Sequence, residues 1–467
     1  MTTTIKTRLL VVGGGPGGYV TALRASQLGI EVTLVEADRL GGTCLIRGCI
    51  PSKALIHAAS KFDSIRQASR DGGTLGISLS SAPALNLSET IRWKDSVVNR
   101  LNEGVGGLLR RAKVQVISGW ANFLDAKTCA VATANGRIDI SAEHVVLATG
   151  SEPVELPALP FGGAIISSTE ALTLQTLPRS LAIVGAGYIG LELGSAYRKL
   201  GVEVTIIEAQ DRILPLYDQA LVKPVARWLE RAGVTLHLGA TVSGYEAGRL
   251  FADVPNGKSL AIDAEKVLVT VGRRPRTQGW GLEAMGVDLD GRFVRVDDQC
   301  RTSMRNVWAI GDLVGEPMLE HKATAQGEMV AELIAGRRRR FEPVAIPAVC
   351  FTEPEIVSVG LSPGDAGAAG VEVSMTQFPF AANGRALSME AGESGGFVRV
   401  IARKHDHRIL GIQAVGAHVS ELSGEFSLAL EMGSTLEDIA GVIHAHPTLS
   451  EAFFEASLAG LGHAIHL

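Results

Sequence analysis

Two glycine-rich turns, each set between a short apolar run and a helix-forming stretch, dictate most of what this 467-residue chain can become. The first is Leu9-Leu10-Val11-Val12 followed by Gly13-Gly14-Gly15-Pro16-Gly17-Gly18. A continuous apolar run is what a parallel strand covered on both faces requires. Gly13 permits the tight bend, Gly15 lets the backbone approach a pyrophosphate, and Gly18 allows the helix over Tyr19 to Leu28 to pack close to the strand. The start of that helix offers phosphate its free amides and the positive end of a dipole. After Gly29 a second strand, Glu31 to Val35, ends in Glu36, about where a ribose-binding carboxylate is expected. The arrangement recurs. Leu181-Ala182-Ile183-Val184 leads into Gly185-Ala186-Gly187-Tyr188-Ile189-Gly190, a helix to Leu200 and a strand Val202 to Ile207 that ends in Glu208. One glycine turn need only reverse a chain; two complete units with matching acids predict two dinucleotide sites. Glu208 accepts from a ribose 2'-hydroxyl and repels a 2'-phosphate, and Arg212 is the only arginine near it, so the second site is expected to prefer NAD to NADP.

The chain is long enough for roughly three or four domains. Its 46% apolar and 20% charged residues and its 54 glycines are those of a globular α/β protein. No stretch is apolar enough for a bilayer span. Met1 runs through polar Thr2 to Thr4 into the first apolar strand, so no signal or transit peptide is expected, and the expected location is cytoplasmic. A net charge of -5 gives no electrostatic footprint for nucleic acid.

Five cysteines are too few for a secreted disulfide framework. Cys129, Cys300 and Cys350 stand far apart in apolar or strand-like contexts, as small buried hydrophobes do. Cys44 and Cys49 are close, in Gly41-Gly42-Thr43-Cys44-Leu45-Ile46-Arg47-Gly48-Cys49-Ile50-Pro51-Ser52-Lys53. A loop this short, relaxed by Gly48, brings two sulfurs to bonding distance. Pro51 suits the first turn of a following helix, whose dipole, with Lys53, would lower the Cys49 thiol pKa. The competing reading, a structural zinc half-site, needs two further ligands, and none is evident.

The phrase GGTCxxxGCIPSK after an N-terminal dinucleotide unit resembles the flavin-dependent pyridine nucleotide-disulfide oxidoreductases, and the resemblance covers essentially the whole chain. It implies FAD in the first site, NAD(P) in the second, which Glu208 narrows to NAD, and an obligate homodimer. The implied fold has two Rossmann-like domains, for FAD over 1–151 and NAD over 152–277. A central domain, 278–345, completes the FAD site, and an α+β interface domain, 346–467, makes the dimer. Leu147 to Ser151, with Thr149 and Gly150, resembles the strand and turn closing the FAD domain. Thr302 to Asp312 resembles the second FAD motif, with Asp312 on the ribityl chain. Thr43, Lys53 and Gly272 are further implied cofactor contacts. Lys53 and Glu192 are implied to pair beside the flavin, and Tyr188 to cover the nicotinamide pocket.

His444-Ala445-His446-Pro447 with Glu451 supplies a base and an orienting carboxylate for thiol deprotonation. By the same resemblance His446 is the acid/base, acting on the cysteines of the other subunit, Glu451 is its partner, and His444 has a supporting role. Cys44 is then the outer, more accessible sulfur, and Cys49 faces the flavin. Phe351 to Glu355 and the tail Gly460 to Leu467 resemble the branch that reoxidises dihydrolipoyl groups for 2-oxo acid dehydrogenase complexes, particularly those for branched-chain substrates. Lipoyl domains and an acyltransferase core are then the expected partners. A reductase of another disulfide, an NADH oxidase and an inert flavoprotein subunit are the alternatives; intact Cys44, Cys49, His446 and Glu451 argue against the last. Four positions depart from the family pattern: Ile46-Arg47 stands for Asn-Val, Glu320 for alanine and Arg276 for asparagine. A cation at Arg47 is expected to shift the disulfide potential, about 30 mV corresponding to roughly 1.4 kcal/mol. The basic run Arg337 to Arg340 reads as a solvated helix end, with docking to a complex core as the alternative.

Overall fold

The structure, a computed structural model, describes residues 3–69, 73–255, 257 and 259–466; Met1 and Thr2 lie outside them. It is α/β in its first two thirds and α+β in the last third.

The first unit runs β1 (Thr3–Val12), α1 (Pro16–Gln27), β2 (Val32–Glu36), α2 (Gly42–Arg47), α3 (Cys49–Ala68) and α4 (Leu87–Arg111). Four strands follow: β3 (Gln115–Ser118), β4 (Trp120–Phe123), β5 (Thr128–Thr133) and β6 (Gly136–Leu147). They form one sheet in the order β3-β2-β1-β6-β5-β4. Leu9, Leu10 and Val11 are fully buried because the sheet is covered on both faces at its centre. Strand β1 begins at Thr3, well before the apolar run. The polar stretch pairs along β6 from Thr3↔Ile138 onward, so ladder hydrogen bonds rather than apolar burial extend it.

A short antiparallel ribbon of β7 (Ser151–Pro153) with a later strand links the first unit to the second. The second comprises β8 (Ile165–Ile166), α5 (Ser168–Ala171), β9 (Ser180–Val184), α6 (Tyr188–Lys199), β10 (Glu203–Glu208), α7 (Gln219–Arg231) and β11 (Thr235–Leu238). A meander follows, β12 (Thr241–Glu246), β13 (Arg249–Asp253) and β14 (Ser259–Asp263), then β15 (Lys266–Val269). The second sheet is wholly parallel, in the order β11-β10-β9-β15-β8. Strand β16 (Arg273–Pro275) is β7's partner.

Past β17 (Leu289–Asp290) and β18 (Phe293–Val294), the chain returns to the first sheet. Strand β19 (Val307–Ala309) pairs in parallel with β6, Val307 opposite Val145. Helix α8 (Glu320–Ile334) then lies along α1, where Gly327 comes so close that a Cβ there would sit 2.5 Å from the Gly17 carbonyl oxygen. The last third is a five-stranded antiparallel sheet from Ala348–Cys350 to Ile409–Gly416, with the helix Glu451–Gly460 packed on it. Its core includes Phe426 and Phe453, both fully buried and edge to face at 5.2 Å between centroids. Among the described residues no helix is long and apolar enough to cross a membrane.

Candidate active site

Both glycine turns are built alike. Gly13 and Gly185 have φ of +103° and +102°, and a Cβ on either would strike the strand behind, 2.2 Å from the Ala148 oxygen or 2.7 Å from the Thr270 oxygen. Gly18 and Gly190 sit against the carbonyls of Gly13 and Gly185, which is the close helix–strand approach expected of them. Gly15 and Gly187 cap helices α1 and α6 with extended backbone. The acids match too. Glu36 accepts from the Gly14 N–H (2.6 Å) and the Asp38 N–H (2.8 Å); Glu208 accepts from the Ala186 N–H (2.6 Å) and the Gln210 N–H (2.8 Å). Burial pushes the Glu36 carboxyl up, against the Gly14 and Ala37 amides and the charges of Arg47 and Arg276.

The first turn opens on a cleft of about 380 Å³ that runs from Glu36, Trp120 and Ala121 past Thr43, Thr149 and Gly150 to Lys53, Tyr188 and Asp312. Cys44 and Cys49 lie on its wall. The residues between them form the last turn of α2 rather than a loop, and the chain breaks at Gly48 before Cys49 opens α3. Leu45, Ile46 and Arg47 are all compatible with a helix, and the stop comes only at glycine. Cys49 therefore stands at the positive end of a 20-residue helix. Its thiol is held below the usual range, first by a hydrogen bond from Cys44 and then, against burial, by Lys53. The Cys44 thiol is raised, by that same bond, by burial and by the charges of Cys49 and Glu320. The two thiols are thus shifted in opposite directions, with the thiolate favoured on Cys49. In the single chain Cys49 is exposed and Cys44 half-buried. Cys49 heads its helix at the cleft wall, whereas Cys44 is inside a helix, near Tyr19 and Glu320.

Lys53 Nζ donates to Glu192 Oε2 at 2.8 Å and lies 4.5 Å from the Phe351 ring centroid. Burial works against its charge, but the Glu192 carboxylate and then Cys49 outweigh it, and the ammonium is held above its usual range. Glu192, 4% exposed, takes its second bond from the Phe351 N–H (2.9 Å). Tyr188 lines the same end of the cleft, its hydroxyl pushed up to about 12 by burial. Asp312 accepts from Ser151 Oγ (2.5 Å), and Ser151 accepts in turn from Arg273 Nε (2.8 Å). Gly272, with φ of +125°, immediately precedes Arg273. Sequence reasoning passed over Arg273; its signal was a charged residue beside a glycine at the end of a parallel strand.

The Arg47 guanidinium pairs with Asp38, and its charge is felt at Glu36 and Arg273. Glu320, accepting from Thr324 Oγ1 (3.0 Å), is the departure whose charge reaches Cys44. Of the basic run, Arg337 and Arg339 pair with Glu332, and Arg340 pairs with Asp298.

His446 stands elsewhere, on the loop before the helix Glu451–Gly460, and does not line its own chain's cleft. Its Nδ1 meets Glu451 Oε1 at 2.9 Å, and its ring is 78% exposed. Burial tends to raise Glu451, but the Thr448 N–H (2.8 Å) and His446 win, and the carboxyl is held low. The His446–Pro447 bond is cis. The His444 side chain, 5% exposed, meets Glu425 at 3.0 Å and is raised by that bond.

The fit to two dinucleotides follows from these turns. At Gly150, Gly187 and Gly272 a Cβ would point into open space, and the helix starts beside them offer unpaired amides to phosphate. Residues 7–327 match the pyridine nucleotide-disulphide oxidoreductase family, and residues 346–457 match that family's dimerisation domain. The chain belongs to this family, an oxidoreductase acting on a sulfur group with FAD and NAD as its cofactors. It is 59% identical over its whole length to the dihydrolipoyl dehydrogenase of Pseudomonas aeruginosa, covering 100% of both chains. It is 43% identical to that of Bacillus subtilis, covering 99% of this chain and 98% of the other. Among solved structures, LpdA of Mycobacterium tuberculosis superposes with a TM-score of 0.88 at 27% identity, over 97% of this chain and 99% of that one. The HOCl-induced flavoprotein disulfide reductase RclA of Escherichia coli does so at 0.86 and 26%, with the same coverage.

Proposed function

We propose that the chain oxidises the protein-bound dihydrolipoyl group of a 2-oxo acid dehydrogenase complex, with NAD as final acceptor. The observation that carries this reading is the Cys44–Cys49 pair at the head of α3, on a cleft between two dinucleotide turns, with Lys53 and Glu192 beside it. FAD is assigned to the first turn through Gly13, Gly15, Gly18, Glu36, Thr43, Thr149, Gly150 and Asp312. NAD is assigned to the second through Gly185, Gly187, Gly190, Glu208 and Gly272. Divisions near 151, 277 and 345 separate the FAD, NAD, central and interface domains.

The chemistry of this chain's own groups is disulfide exchange. His446 of one protomer, fixed by Glu451, takes a proton from a substrate thiol, and the thiolate attacks Cys44 Sγ of the oxidised pair in the other protomer. The Cys44–Cys49 bond breaks, and Cys49 leaves as a thiolate stabilised by Lys53 and the helix dipole. The second substrate thiol loses its proton to solvent and its sulfur attacks the substrate sulfur of the mixed disulfide, so that Cys44 leaves and takes a proton from the imidazolium. The dihydrolipoyl group has then lost two electrons and the pair has gained them. A flavin held in the first cleft by Gly13, Gly15, Glu36 and Asp312 would supply the two-electron relay from the Cys49 thiolate to a nicotinamide held at the second turn. Lys53, held charged by Glu192, keeps a cation beside the reacting sulfur throughout.

A cytoplasmic location and partnership with lipoyl domains and an acyltransferase core belong to the same proposal. The ion pairs of Arg337, Arg339 and Arg340 favour a helix end over a docking patch. Neutralising them is expected to leave binding to the complex core unchanged.

The test is the initial rate at which dihydrolipoamide reduces NAD and NADP with the purified protein. A fast rate with NAD alone is expected; faster turnover of NADH with another disulfide or with dioxygen would overturn the reading. Glu208→Gln removes a charged acceptor for the ribose and the repulsion of a 2'-phosphate. It is expected to lower kcat/KM for NAD by roughly 10- to 100-fold and to narrow the gap to NADP. Unchanged kinetics with both nucleotides would show that Glu208 only braces its loop.

A further inference from the structure

Four arginines line the first cleft; Arg39 donates to Asn99 and Asn102, which leaves Arg47 from the end of α2, and Arg273 and Arg276 from β16 and the turn after it. They come from two different segments and stand close enough to act on one another. The charge of Arg273 is disfavoured by burial and by both other cations, with Asp312 and Tyr188 opposing them. Each outer arginine has an acid at the cleft rim, and neither acid uses up its donors. Arg47 pairs with Asp38 while its Nε is buried without a hydrogen-bond partner. Arg276 Nε lies 3.5 Å from Glu152, beyond a good hydrogen bond, while its backbone N–H and carbonyl are anchored by Gly150 and Thr149. Five donors on a planar fork suit phosphate. The same cleft holds the start of α1 at Gly15 and Pro16, where first-turn amides are unpaired. Cations from two sides and a helix start thus converge where an extended anion would lie.

We infer that Arg47 and Arg276 form a two-armed clamp on the diphosphate of the dinucleotide in the first cleft, and that Asp38 competes with that diphosphate for Arg47. This rests on the first turn being the flavin dinucleotide site. It makes Arg47 a cofactor-retention residue rather than a tuner of the disulfide.

The test reads flavin release from the purified full-length holoprotein, by the rise in fluorescence of free flavin after dilution. Arg47→Gln and Arg276→Gln are each expected to speed release about tenfold, as the loss of a charge-assisted phosphate contact does. Wild-type release should quicken from low to high KCl, and the double variant should have lost most of that dependence. Asp38→Asn, which frees Arg47, is expected to slow release. A purely structural Arg47–Asp38 pair gives the opposite sign, with both single variants loosening the flavin alike, and that outcome overturns the clamp. So does unchanged release from Arg47→Gln. Release needs no dithiol turnover, so a protein inert towards dihydrolipoamide leaves the clamp standing. A chain that purifies without flavin removes both the site assignment and the clamp.

Discussion

Replacing Cys44 by serine is expected to lower NAD reduction by dihydrolipoamide by at least about 10⁴-fold, the scale on which loss of a nucleophilic centre acts. The loss is chemical, because serine offers no sulfur for the mixed disulfide, while the flavin should remain bound. The structure adds a second readout. The hydrogen bond that Cys44 gives Cys49 is the largest influence on both thiols, lowering one and raising the other. A serine hydroxyl can still donate that bond, so the lone Cys49 of the Cys44→Ser protein keeps its low pKa and its neighbour Lys53. The lone Cys44 of Cys49→Ser keeps burial and the Glu320 carboxylate, which favour the neutral thiol and outweigh the backbone N–H of residue 49. Alkylation by iodoacetamide should therefore begin at lower pH in Cys44→Ser than in Cys49→Ser. The reverse order would mean that the two sulfurs exchange the roles proposed for them.

His446→Gln is expected to reduce turnover by about 10²- to 10⁴-fold at neutral pH, the usual contribution of a positioned base. The deficit should shrink as pH approaches about 8.5, where an ordinary thiol ionises unaided. Glu451 has a depressed pKa, so it stays ionised across the working range and the His446 ring keeps its orienting partner there; that support is lost only on acidification. Subunit crossing has its own measurement. In a mixed dimer of one Cys44→Ser chain and one His446→Gln chain, the intact cysteines of the second chain meet the intact histidine of the first. Such dimers should recover one working site of two. Mixed dimers as inactive as either parent would confine the chemistry to a single chain.

What was legible in the sequence was local. Each glycine turn, its flanking strand and its terminal acid fall within one contiguous stretch, and Glu36 and Glu208 stand at equivalent places because the spacing from turn to acid is the same. The His446–Glu451 contact was readable for the same reason, five residues apart on one turn. Side-chain direction was not. Arg47 sits between two cysteines in sequence, yet a helix carries it round to Asp38, whereas Glu320, distant in sequence, is brought beside Cys44 by α8. Periodicity also misjudged β1, whose polar first half carries no apolar signal and exists because β6 offers it a ladder. Arg273 became visible only when β16 met β7.

The return of β19 to the first sheet has a bearing on biosynthesis. The ribosome releases the first glycine turn early, but the strand that flanks β6 arrives only after the whole second unit has been made. At about 5–20 residues per second, the nascent first sheet waits roughly 8–32 s with the Val145–Leu147 end of β6 unpaired on the side that β5 covers only further back. The second sheet draws all its strands from the chain between Ile165 and Val269, so it can close during that interval. A ribosome stalled just short of Val307 should carry a protease-resistant second unit and a still-sensitive first one.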